Sequence, residues 1–193
     1  LRNKMAFMFS QTELHGFNLN NPGATAPSIT KLDFKLFSGS FAEGVWGLTA
    51  APRMSDSAPL APTQIFAIGP TKGSGQTSGN HSLVSIFPNN HTVRIIGSTV
   101  MYPAASSSSA YDPEAQVFYC LIADGGAGIK VRGLSTLTGK TVFDMAFGRG
   151  SQMYSLDYVP SGRNKGTIVG LGLDFTQGSP SKPPHQYRTL QAL

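Results

Sequence analysis

Charged side chains are scarce in this chain of 193 residues: they make up 13%, about half the usual share of a globular domain. Few residues are therefore left to furnish helix surfaces. Gly, Pro, Ser and Thr fill the gap, a mixture that suits short strands joined by turns. Cysteine is nearly absent. The single one, Cys120, excludes an internal disulfide and neither requires nor excludes export. It lies in the apolar run Val117-Phe118-Tyr119-Cys120-Leu121-Ile122 with no His or basic residue beside it in sequence. It reads as a small buried hydrophobe rather than a nucleophile. Long hydrophobic runs are missing too: nothing approaches the roughly 18 apolar residues of a spanning helix. The start, Leu1-Arg2-Asn3-Lys4-Met5-Ala6-Phe7-Met8-Phe9, is positive, but its apolar run is too short for a signal peptide. It has no initiator Met, as expected of a processed product or an excised piece. No segment keeps a 3.6-residue period over eleven residues or more, so helices are not expected.

What the chain does hold is a sizeable apolar fraction, 40%, with 10% aromatic residues, enough for one substantial domain with a core. The net charge is +5, but the basic residues are scattered. The tightest groups, Arg163 with Lys165 and Lys130 with Arg132, have alternate spacing that puts each pair on one strand face, and they read as solvated faces. Phosphate binding needs clustered charge to displace counterions, so nucleic acid is disfavoured as a partner.

A unit of about fifty residues recurs. Ser109 to Glu114 ends a strand in an Asp-Pro turn. Val117 to Ala123 is a second strand, Asp124 to Gly128 a flexible loop, and Ile129 to Leu137 a third strand. Thr138-Gly139-Lys140 is a tight hairpin in which Gly supplies positive φ, and Thr141 to Phe147 is the fourth strand. Upstream, the same order runs through Gly44–Ala51, Phe66–Ile68, the Gly/Ser loop Thr71–Asn80, Ser82–Phe87, the hairpin Pro88-Asn89-Asn90 and Thr92–Gly97. Pro52 to Pro62 is a long insertion. Downstream come Tyr154–Pro160, Thr167–Phe175, a loop to His185, and Tyr187–Leu193. At the N-terminus Met5–Ser10, Leu14–Leu19 and Ile29–Ser38 make up the set. Approximate boundaries are 1–39, 40–100, 101–147 and 148–193, with the outer two units each one strand short.

This pattern resembles β-propeller repeats, in which four-stranded antiparallel blades stand radially around a channel. Tyr111-Asp112-Pro113 and Leu137-Thr138-Gly139-Lys140 resemble the strand-end and hairpin chemistry of YVTN- and quinoprotein-type blades. Gly125-Gly126 is similar to a kelch doublet, although no later Trp accompanies it, and no Gly-His/Trp-Asp pair points to WD40. The resemblance implies an all-β fold of about four blades, either the smallest closed ring or an arc of a larger one. A β-sandwich also gives short strands at this spacing and stands as the alternative.

Chemistry is sparsely marked. Gly133 to Thr141 misses a P-loop by one residue between its glycines and is followed by a strand instead of a helix. Gly73-Ser74-Gly75-Gln76-Thr77-Ser78-Gly79 also lacks a following helix and reads as a mobile connection. Ser106 to Ser109 has no His poised beside it. His15, His81, His91 and His185 lack metal-ligand spacing, and neither metal nor cofactor is expected. Asn80-His81-Ser82 and Asn90-His91-Thr92 are glycosylation sequons, compatible with an extracellular setting.

Geometry supplies the remaining expectation. In blades, the loops between second and third strands and those between blades share one face. That face would carry Lys72, Asp124, Arg149 and the Lys182 segment. Trp46 and Tyr154, on first strands, would either line the channel, where an aromatic can stack on a flat or sugar-like ligand, or pack between blades. The expected function is a non-catalytic module presenting this face to a protein or glycan. Two alternatives stand beside it: a channel-mouth enzyme using Asp124 and Arg149, and a structural segment completing a ring with other chains.

Overall fold

The computed structural model describes residues 5–10, 13–18, 28–31, 46–50, 64–70, 81–87, 92–97, 108–124, 128–146, 151–159, 166–174 and 188–191. Among them are fourteen strands and no helix, arranged as four antiparallel sheets. The first joins β1 (Met5–Ser10), β2 (Glu13–Asn18) and β3 (Ser28–Lys31) in chain order. The second joins β4 (Trp46–Ala50), β5 (Ile65–Pro70), β6 (His81–Phe87) and β7 (Thr92–Ile95). The third joins β8 (Ser109–Asp112), β9 (Val117–Asp124), β10 (Gly128–Ser135) and β11 (Thr141–Ala146). The last joins β12 (Ser151–Val159), β13 (Thr167–Asp174) and β14 (Arg188–Gln191). Each strand pairs with its neighbour in sequence, so every sheet is a meander.

Local chemistry sets the turns of the third sheet. The Asp112 carboxylate accepts the backbone N–H groups of Glu114 and Ala115 at 2.9 and 3.0 Å. This Asx turn closes β8, and Gln116 then takes a positive φ of 53° to re-enter β9. Thr136 secures the same corner, donating both its N–H and its hydroxyl to the Gln116 carbonyl at 2.9 Å. The sequence reading carries β10 to Leu137; it stops at Ser135, because the Ser135 hydroxyl accepts the Leu137 and Thr138 N–H groups and turns the chain. Gly139 completes the turn with φ +69°, donating its N–H to the Ser135 carbonyl at 2.7 Å.

The third sheet is covered on both faces. On one, Ala110, Val117, Tyr119, Leu121 and Val131 share a core with Met153, Leu156 and Ile168 of the last sheet. On the other, Phe118, Cys120, Ile122 and Leu134 share a core with Phe66, Ile68 and Leu83 of the second. Alternation along β9 divides the two sets, since successive side chains point to opposite faces. The Phe66 ring lies 5.0 Å from Tyr111 and 6.5 Å from Phe118. Phe66 near the start of β5 thus meets the end of β8 and the start of β9, which sets these two sheets in the same sense.

First strands approach one another: Cα atoms of β8 come within 8 Å of both β4 and β12, closer than the roughly 10 Å of ordinary face-to-face sheets. A hydroxyl ties β12 to this seam. Leu156 donates its N–H to Ser108 Oγ at 2.8 Å, and Ser108 Oγ–H reaches the Leu156 carbonyl at 3.4 Å. Both backbone groups point away from β13, so Ser108 satisfies the open edge of the strand. At the outer strands the second and third sheets meet backbone to backbone. A Cβ on Gly97, which has φ +74°, would lie 2.6 Å from the Thr138 carbonyl oxygen, and one on Gly139 would overlap the Ile96 carbonyl.

Candidate functional site

Within each sheet, the first strand begins at the end where the second strand finishes. Trp46 opens β4, opposite Ile68, and Asp124 closes β9, opposite Gly128. Tyr154 lies near the start of β12. Topology therefore brings these three to the corresponding end of three consecutive sheets. The side chains of Trp46 and Asp124 lie outside the described part, as do Lys72, Arg149, the Lys182 segment and both sequon asparagines, Asn80 and Asn90.

Tyr154 is described in full. Register shifts between Met153 and Ser155, with Met153 opposite Gly172 and Ser155 opposite Leu171, which makes Tyr154 the extra residue of a β-bulge. It is 45% exposed. The neighbouring Met153 and Leu156 enter the core, while Tyr154 stands partly exposed at the bulge.

The third sheet holds a charged trio. Asp144 stands opposite Arg132 in register and accepts from its Nη2 at 2.8 Å, with Lys130 Nζ at 3.4 Å. Burial alone would raise the Asp144 pKa. The hydrogen bond and charge of Arg132, together with Lys130, outweigh it and hold the carboxyl below the usual value. The sequence places Lys130 and Arg132 on a solvated face, and the structure corrects this. Arg132 is only 16% exposed, and it shares a row with Cys120 on the face that meets the second sheet. Sequence could not find this trio, because Asp144 is joined to it only by strand register.

Cys120 is corrected in one respect as well. No basic residue neighbours it in sequence, yet Arg132 is its cross-strand partner, and the thiol points at the Arg132 carbonyl at 3.7 Å. Burial still decides its chemistry, pushing the thiol up to about 12 against the pull of the Arg132 charge and with Asp144 adding to the rise. A thiol so held is not a nucleophile at neutral pH. Burial likewise raises the Tyr111 phenol, opposed by its hydrogen bond to Thr136 and aided by the Asp112 charge. Tyr119 is raised by burial and then by Asp112. Asp112 itself is buried and engaged by the turn N–H groups, so it serves the corner.

The Gly133–Thr141 segment is strand, hairpin and strand, and carries no phosphate-binding helix N-terminus. Among the described residues, no group of three His, Cys, Asp or Glu could hold a metal ion, and no helix is long and apolar enough to cross a membrane. No protein-family model matches this chain, and no curated protein is significantly similar to it.

Proposed function

We propose that the chain is a run of β-propeller blades and that it acts as a binding module, presenting the end of the sheets that carries Trp46, Asp124 and Tyr154 to a glycan or protein ligand. Two features support the architecture. A two-layer sandwich leaves each sheet one outward face, whereas the β8–β11 sheet is covered on both. First strands also draw together along the seam of β4, β8 and β12, as they would around an axis. An experimental structure leaving one face of the β8–β11 sheet in solvent would sink this part of the proposal.

Exposed Tyr154 carries the functional reading. A bulge on a first strand turns an aromatic outward at the loop end, where a sugar ring or a partner side chain can stack on it. The strands give this group a rigid base of the kind on which binding residues are commonly carried. The test is a printed glycan array and a panel of extracellular protein domains probed with the full chain. Tyr154→Ala should weaken a hit at least about tenfold if stacking contributes more than about 1.4 kcal/mol, and Asp124→Ala with Arg149→Ala should weaken it further. Undiminished binding by all three variants would overturn the site.

A further inference from the structure

Basic residues that are scattered in sequence come together where the outer strands of the second and third sheets part. Ile96, just after β7, packs into the core these sheets share, so Arg94 two residues earlier lies on the same side, towards the third sheet. It is exposed, with its guanidinium 5.3 Å from the centre of the Phe87 ring. Across the seam, Arg132 stands opposite Cys120, a residue of that same core, and Lys130 and Asp144 share its side. The core closes only the inner part of the seam. Asp144 and Ala146 on β11 point the same way as Arg132, yet both are exposed. Residues 96–97 and 138–139 meet backbone to backbone and bring the exposed Lys140 to the same groove.

Charge does not balance there. Asp144 is engaged with Arg132 and Lys130, and neither Arg94 nor Lys140 forms an ion pair among the described residues. We infer that this groove binds a linear sulfated glycan, with sulfates on Arg94, Lys140 and the cationic side of the Arg132–Asp144 pair. Arginine and lysine make their strongest hydrogen bonds to anionic oxygens, and a row of them on two facing strands suits a chain of anions. A nucleic acid is also a polyanion, but single strands bind through bases stacked on aromatic side chains. The one large aromatic described as exposed, Tyr154, belongs to the last sheet. The groove uses none of the loop-end residues of the proposed site, and the inference does not rest on them.

Fluorescence anisotropy of a labelled heparin hexasaccharide with the full chain tests it. Binding in about 50 mM salt that weakens steeply towards about 200 mM is expected. Arg94→Ala and Lys140→Ala should each weaken it about threefold and flatten the salt dependence. Asp144→Asn removes the repelling carboxylate and should tighten it. Arg188→Ala takes a charge from β14 of the last sheet and should change little. Absence of binding at the lower salt overturns the inference, as does wild-type affinity in both Arg94→Ala and Lys140→Ala. An equal loss in Arg188→Ala would mean diffuse charge attraction and overturns the site. Tighter binding of an oligonucleotide of matched charge overturns the glycan assignment. Arg94 and Lys140 are exposed, so their variants decide the matter even if Asp144→Asn does not fold.

Discussion

Three glycines share a left-handed backbone but differ in what surrounds them, and they separate two physical costs. Gly166 has φ +76° and open space within 4 Å of where a Cβ would stand, whereas Gly97 and Gly139 have similar φ values and press on each other's segments. Gly166→Ala should therefore cost only the conformational term, about 1–2 kcal/mol. Gly97→Ala and Gly139→Ala should each cost more than that, about 3 kcal/mol or above, because backbone carbonyls of the facing sheet must also move. Urea midpoints of the three variants check the ranking, and equal midpoints would contradict it. Cys120, Tyr111 and Tyr119 should each make the fold less stable in alkali. Their protons are lost more readily in the unfolded chain, where a thiol titrates near 9.0 and a phenol near 10.0, than in the folded one. The unfolded state then binds fewer protons, so stability is full below about pH 9 and falls as pH rises towards 12. Cys120→Ala should flatten that fall; an unchanged alkaline slope would show that the thiol does not contribute.

At the scale of elements, β12 is held by a side chain from outside its own sheet. Ser108 stands just before β8 and satisfies both backbone groups of Leu156, so Ser108→Ala leaves an N–H and a carbonyl of a strand edge without that partner. The expected loss is about 1–3 kcal/mol, with faster amide hydrogen exchange at Leu156 and little change at the β10–β11 pairing. Uniform exchange across both sheets would argue against a local tie. Much of this element structure is legible in sequence. Alternating apolar runs and turn residues such as Asp112-Pro113 and Gly139 act over a few positions, which is why the strands starting at Thr92 and Val117 begin where patterning puts them. Where the reading overshoots, as at Leu137, a serine hydroxyl competes with the ladder for backbone N–H groups. The chemical character of the β10–β11 face was not legible, because Asp144 reaches Arg132 only through pairing register.

At the scale of the whole molecule, the third sheet is the middle layer of a stack, and its two faces can be weakened separately. Phe118 is fully buried on the side of the second sheet, and Leu156 is buried against the other side. Phe118→Ala should cost about 3–5 kcal/mol and Leu156→Ala about 2–5 kcal/mol. If the shared cores couple the sheets, both variants should shift one common unfolding transition followed by circular dichroism and tyrosine fluorescence. Two transitions, each moved by only one of the variants, would show that the sheets fold as independent units. Of the candidate site, sequence placed Trp46 and Tyr154 on first strands and Asp124 in the loop after a second strand; the structure makes Asp124 the last residue of β9, and the partial exposure of Tyr154 emerged only with the structure.

The sequence by itself determined that this protein is made of antiparallel strands and, to within a few residues, where those strands lie, because alternation, β-branched runs and turn residues are local preferences summed over short windows. Tertiary structure alone decided which faces became interior, that Gly97 meets Gly139, and that Arg132 lies across from both Cys120 and Asp144. Those outcomes depend on register and on the packing of residues distant in the chain, where the free energy resides in contacts between segments.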